Sequence, residues 1–253
     1  MNINLGNSAS RTTPFLPVRG TPAISATSRG THELLMSIAG SPRRYVRGQH
    51  LFHAGDSDPS LYVVESGSVK LYGITSSGAE QIFAFCLPGE FFGLDVLGEP
   101  AHGSSAGVLE PTTVRALPVP EIRAMYRRIP AVQHRIHRLL AHRINELYEQ
   151  MMVLSKKRAD ERLAGFLLGI DARLPEPQRA AHILRLSMSR YEIGCYLGLA
   201  LETVSRILRR FDDEGLTRTR TRRIQLCDLE RLRALAGLAL SGPARTTPGI
   251  FFA

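Results

Sequence analysis

The segment Ser189-Arg190-Tyr191-Glu192-Ile193-Gly194-Cys195-Tyr196-Leu197-Gly198-Leu199-Ala200-Leu201-Glu202-Thr203-Val204-Ser205-Arg206 constrains the fold more than any other, because it carries start, turn and face signals for two short helices in succession. Ser189 and Glu192 have the spacing of a capping box, in which the serine oxygen accepts a backbone N–H and the glutamate reaches back to do the same. Gly198 supplies the permissive backbone that a tight helix-helix turn needs, and Gly215 closes the second helix as a C-cap. Within that second helix Val204, Ile207, Leu208 and Phe211 recur at helical spacing and face a core. Glu202, Ser205, Arg206 and Arg209 fall on another face. An arginine fork can take two guanine acceptors, a glutamate can accept from a cytosine amine, and a serine suits either, so this face can read a major groove. An ordinary solvated helix face would carry the same spacing.

The next segment separates the two readings. Leu216-Thr217-Arg218-Thr219-Arg220-Thr221-Arg222-Arg223-Ile224-Gln225-Leu226 alternates β-branched and basic residues, as a small hairpin would. No acid follows Gly215 until Asp228, so phosphate is the natural counter-charge of Arg218, Arg220, Arg222 and Arg223. A winged helix-turn-helix is therefore predicted over residues 158–240, with double-stranded DNA as its partner. Charge placement agrees. Residues 1–118 hold 8 Lys/Arg against 9 Asp/Glu, whereas residues 119–253 hold 24 against 14. A basic half joined to a near-neutral half fits a nucleic-acid module attached to a domain with another task.

That other domain reads as β. Residues 32–130 contain Leu61-Tyr62-Val63-Val64, Val69-Lys70-Leu71-Tyr72 and Gln81-Ile82-Phe83-Ala84-Phe85, punctuated by Gly55-Asp56, Ser66-Gly67, Ser77-Gly78 and Pro88-Gly89. Short strands separated by glycine turns predict a β-roll or jelly roll. A long helix over residues 131–157 then carries the apolar stripe Ile136, Leu140, Ile144, Leu147, Met151 and Leu154. The stripe is predicted to be the seam of a two-fold homodimer, since helix-turn-helix modules commonly read paired half-sites. Packing on its own roll is the alternative for part of it. The fold class is α+β in this order, flanked by a disordered arm, 1–31, and a disordered tail, 241–253, rich in Ser, Thr, Pro, Gly and Arg.

Several classes are disfavoured. No stretch approaches the about 20 apolar residues of a bilayer span, and the first thirty residues lack a signal-peptide core, so a cytoplasmic protein with no membrane contact is expected. Cys86, Cys195 and Cys227 are too scattered for a disulfide framework or a four-thiolate cluster. Cys195, inside the helix-turn-helix, is the redox candidate. His134, His137 and His142 have no carboxylate at ligand spacing, and His50, His53 and His102 lack the H-x-H pattern of a cupin enzyme. Neither a metal nor a cofactor is expected, and no enzymatic activity.

Roll, long helix and winged reader in this order resemble the Crp/Fnr superfamily of bacterial transcription regulators over roughly residues 32–240. The matching positions include Gly48, Ala54-Gly55-Asp56, Leu61-Tyr62-x3-Ser66-Gly67, Pro88-Gly89-Glu90-Phe91-x-Gly93, Leu154-Ser155-Lys156-Lys157-x-Ala159-x-Glu161-Arg162-Leu163-Ala164 and Tyr196-Leu197-Gly198-Leu199-x-Leu201-Glu202-Thr203-Val204-Ser205-Arg206. The reading helix looks like the Fnr/FixK branch, whose Glu-x-x-Ser-Arg set implies TTGAT half-sites in a TTGAT-N4-ATCAA operator. By that resemblance Arg206 takes the guanine, Glu202 the opposite cytosine or a neighbouring base, and Ser205 the outer T·A pairs. Thr75, Ser76, Ser77, Gly78 and Glu80 correspond to a roll loop that touches RNA polymerase in family members, which implies an activator. The branch's oxygen sensors hold an iron-sulfur cluster on cysteines near the N-terminus; here no cysteine precedes Cys86. From Gly48 to Val114 the single Lys or Arg is Lys70, so a cyclic nucleotide phosphate would lack its roll arginine. A ligand- or haem-gated sensor with an unidentified effector is the alternative.

Overall fold

A computed structural model describes residues 33–176 and 179–237. The expected arm, 1–31, and tail, 241–253, lie outside the described residues. After a short helix α1 at 33–37 come eight strands: β1 (Arg43–Tyr45), β2 (His50–Phe52), β3 (Ser60–Ser66), β4 (Val69–Ile74), β5 (Glu80–Cys86), β6 (Phe91–Phe92), β7 (Ser105–Val108) and β8 (Thr112–Pro118). They form two four-stranded antiparallel sheets in the orders β1-β8-β3-β6 and β2-β7-β4-β5.

Strand alternation places the core. In β3, Tyr62 and Val64 point between the sheets and pack with Phe52, Val69, Phe92, Ala106 and Val114. Leu61 and Val63, on the opposite face, meet Leu117, Val119, Ile122, Val132 and Ile136. A strand buried on both faces needs the near-continuous apolar run Leu61–Val64. Helix α2 (Val119–Tyr126) and the first turns of α3 (Pro130–Lys156) supply the outer layer.

With 27 residues, α3 is about 40 Å long. Its upper part corrects the expected seam. Ile136 is 1 % exposed and packs on its own roll with Val132 and Leu139, and Leu140 is half-buried against the same cluster. A periodic stripe says which helix face is apolar, not which surface covers it. Below this point one side of α3 is left uncovered, and Ile144, Leu147, Tyr148, Met151 and Met152 are exposed. Leu154, at the base, is half-buried, with its Cδ2 3.5 Å from the Cβ position of Gly198.

The C-terminal domain contains α4 (Ala159–Arg173), β9 (Ile183–Arg185), α5 (Arg190–Leu197), α6 (Leu201–Asp213), the hairpin β10 (Thr217–Arg220) and β11 (Arg223–Leu226), and α7 (Leu229–Leu235). Its core gathers Leu163, Leu167, Leu184, Ile193, Val204, Phe211 and Leu232, and it extends into the roll through Ile82, Phe85 and Leu109. The wing is a three-stranded sheet of order β10-β11-β9, not the hairpin alone. Among the described residues no helix is long and apolar enough to cross a membrane.

Candidate nucleic-acid interface

The two short helices form as their capping signals require. Ser189 Oγ accepts from Glu192 N at 3.2 Å, and Ser189 N donates to Glu192 Oε2 at 2.7 Å. Gly198 ends α5 in the left-handed region, at φ 63°. A second glycine matters equally. A Cβ at Gly194 would lie 2.4 Å from the carbonyl oxygen of Leu199, so the turn can fold back onto α5 only where no side chain stands. Leu199 N donates to Gly194 O at 3.0 Å and completes the turn.

Helix α6 then divides as its spacing predicts. Val204, Ile207, Leu208 and Phe211 are buried, while Glu202, Arg206 and Arg209 are exposed and Ser205 is half-buried. Among the described residues no ion pair or side-chain hydrogen bond engages Glu202, Arg206 or Arg209. Their neighbour Arg210 is different: it pairs with Asp160 at 3.0 Å and with Glu214 at 3.7 Å. The face that holds unpaired charge is thus the one aimed away from the body of the domain. Ser205 Oγ accepts from Arg190 Nη1 at 3.3 Å, a contact that joins the start of α5 to the second turn of α6.

The wing is held by an acid on α6. Asp212 Oδ1 accepts from Thr217 Oγ1 at 2.6 Å, Thr219 N at 3.1 Å and Thr219 Oγ1 at 3.0 Å. The threonines between the arginines therefore face Asp212, and alternation sends Arg218 and Arg220 outward. Arg218, Arg220, Arg222 and Arg223 are all exposed, and no acid among the described residues pairs with them.

The roll meets the reader through buried polar contacts that sequence reasoning missed. Lys70 Nζ lies 2.5 Å from Glu80 and 3.2 Å from Glu192. Arg173, at the end of α4, reaches Glu90 with Nε at 2.8 Å and Nη2 at 2.5 Å. Burial disfavours its charge, and the Glu90 carboxylate outweighs that, holding the guanidinium protonated. Gln81 Nε2 donates to Cys195 O at 2.8 Å, and Ser68 Oγ to Ser187 Oγ at 2.6 Å. Glu80 therefore departs from the expected polymerase-contact set: its carboxylate turns inward to Lys70. Thr75, Ser76, Ser77 and Gly78 form an exposed turn closed by Gly78 N to Thr75 O at 2.9 Å. Cys195 is half-buried on α5 and Cys227 exposed, while burial pushes the Cys86 thiol up to about 12.

A cavity of about 270 Å³ lies between β5, β6, α3, the end of α4 and α5. Glu90, His142, Arg143, Glu146, Arg173 and Tyr196 line it. Its cations come from helices and not from the roll. Arg143 is taken by Glu146 at 2.9 Å and Arg173 by Glu90.

The chain matches the cyclic nucleotide-binding domain family over residues 42–128 and the Crp-like helix-turn-helix domain family over residues 161–235. It is 38% identical over 210 residues to the transcriptional activator protein Anr of Pseudomonas protegens, covering 83% of this chain and 86% of that one. The chain belongs to the Crp/Fnr family of regulators. Within it, the fumarate and nitrate reduction regulatory protein of Salmonella typhimurium is 37% identical, with 81% of this chain and 83% of that one covered. The solved structure of FixK2 from Bradyrhizobium japonicum is similar with a TM-score of 0.73 at 33% identity, covering 78% of this chain and 97% of that chain. A CRP-family transcriptional regulator from Thermus thermophilus follows at 0.65 and 28% identity, covering 79% and 98%. The matched relatives are regulators and not enzymes, so the family's work here is binding. The Crp/Fnr frame also accounts for the division of the molecule into roll, connecting helix and reader.

Proposed function

We propose that this Crp/Fnr regulator works as a homodimeric, DNA-binding transcription activator that reads a TTGAT-N4-ATCAA-like operator. The observation that carries the reading is the unpaired set Glu202 and Arg206 beside Ser205 on the exposed face of α6. Charged side chains left without internal partners are available to base edges at no cost in broken contacts. Arg209, Arg218, Arg220, Arg222 and Arg223 supply sequence-independent affinity for phosphate. Dimerisation is supported by Ile144, Leu147 and Met151, exposed at successive turns of α3. Two readers placed by one such seam can meet half-sites a DNA turn, about 34–36 Å, apart. The turn Thr75–Gly78 is the surface offered to RNA polymerase, and the setting is cytoplasmic.

The deciding measurement is fluorescence anisotropy of the protein, purified in air without added effector, on a TTGAT-N4-ATCAA duplex and on a scrambled one at fixed near-physiological salt. Selective binding supports the reading. Equal binding to both duplexes overturns the operator assignment.

The cavity favours one second reading, a regulator gated by a small effector. A ligand seated there would touch α3, the Glu90 turn and Arg173 together, and so bias how the reader docks. A molecule of stoichiometric amount, seen by absorbance or mass in the purified protein, would favour it.

A further inference from the structure

The register of the wing sheet brings three arginines into one row. Arg220 of β10 stands directly opposite Arg223 of β11, and Arg223 directly opposite Arg185 of β9. Directly opposed residues share a face of the sheet, with Cβ atoms about 4.5–5.5 Å apart, and like charges so placed repel. All three are exposed. Leu186 N donates to Arg222 O at 2.9 Å, which ties the end of β9 to the turn.

No acid relieves this repulsion among the described residues. Asp212, which touches the same sheet, is committed to Thr217 and Thr219. Glu176 is held by Arg179, Glu214 by Arg210, and Asp228 caps α7 and pairs with Arg231. Stability alone gives no reason to align three cations. An external polyanion does.

The row also has a direction. Strand β10 is the one gripped by α6 through Asp212, and β9 is the edge strand on the far side of β11. Moving from Arg220 through Arg223 to Arg185 crosses two strand spacings, roughly 10 Å, away from the reading helix. That equals about three nucleotides of rise along one DNA strand.

We propose that Arg185, Arg223 and Arg220 form a phosphate-binding strip that carries the protein's contact past the operator onto the backbone of flanking DNA, with Arg185 as its outermost member. This rests on the operator-binding reading above. The competing role for Arg185 is a charge that guards an edge strand against pairing with another chain.

The test uses the full chain and anisotropy titrations across a range of KCl concentrations. Operator and scrambled duplexes are each made with and without flanks of about one DNA turn. On flanked duplexes Arg185→Gln should flatten the slope of log K against log salt by about 0.9 per protomer and weaken binding roughly three- to tenfold, equally on both sequences. On the unflanked operator it should match wild type, and Arg185→Lys should restore most of the loss. An unchanged salt slope for Arg185→Gln, with native circular dichroism, overturns the strip and leaves the edge-guard role. A loss confined to the operator overturns it too, because it would make Arg185 a base reader. Arg206→Ala run alongside separates the two ideas. If wild type shows no operator preference the operator reading fails, while the flanked scrambled duplexes still decide the strip.

Discussion

Lys70 on β4 of the roll lies 3.2 Å from Glu192 Oε1, while Oε2 of the same carboxylate accepts from Ser189 N at 2.7 Å. One side chain therefore starts the first helix of the reader and fastens that helix to the other domain. Glu192→Ala should lose both functions and destabilise the protein by roughly 1–2 kcal/mol. Glu192→Gln keeps an oxygen for Ser189 N and should retain most of that stability. Urea unfolding of the two variants checks this; equal losses would mean that the ionic contact, and not the cap, dominates.

The same group sets an acid limit. Burial pushes the Glu192 carboxyl up, but the Ser189 hydrogen bonds and Lys70 outweigh it, so the net shift is below the ordinary value of 4.5. A carboxylate whose folded pKa is depressed contributes stability in full above its unfolded pKa and loses it as pH falls through the folded one. Thermal unfolding followed from pH 7 downward should show the loss setting in below about pH 4.5. Lys70→Met should shrink it, because part of what holds the charge is then gone.

His142 behaves in the opposite sense. Its hydrogen bond to Glu146, with the carboxylate 3.3 Å away, raises its pKa above 6.5 against the opposing effect of burial. Stability from a raised histidine is complete below the unfolded pKa and disappears as pH rises through the folded one. Wild type should therefore lose a small increment between about pH 6 and pH 8 that His142→Gln lacks. A flat difference between the two across that range would disprove the coupling.

The bond from Arg190 to Ser205 Oγ, at 3.3 Å, uses the acceptor side of the serine. The hydroxyl hydrogen stays free to donate while one lone pair is occupied, which favours the acceptors of a T·A pair over a cytosine amine. Arg190→Ala should cost about 1 kcal/mol of discrimination at the outer operator positions, near fivefold, in competition binding. A uniform loss on all sequences would instead make Arg190 a plain phosphate contact.

The two parts of α3 should respond differently to substitution. Met151→Glu, on the bare stretch, should give folded monomers in sedimentation velocity with little change in melting. Ile136→Ala, at a side chain 1 % exposed, should cost about 2–5 kcal/mol by leaving a cavity against the roll. Dissociation by the second variant with unchanged stability would reverse the division drawn here.

Much of this was legible in the chain. The capping box, the faces of α6 and the glycine-punctuated strands are local signals, and local signals survive in a single sequence. What escaped depends on distant partners. Strand β9 is three residues long and exists because β11 lies beside it. Without it the third arginine of the row could not be seen. Between Gly48 and Val114 the one Lys or Arg is Lys70, yet Arg173 reaches Glu90 across 83 positions of sequence. The stripe on α3 was visible, but its division between a roll and an open surface was not, because both ask for the same residues.

The cavity beside α3 is walled by the roll, the long helix and the first helix of the reader, and its cations are lent by the helices, not by the strands that frame it. The charge of that hollow is thus set jointly: Arg143 answers a carboxylate of its own helix, whereas exchanging Arg173 would leave the roll's Glu90 without its cationic partner.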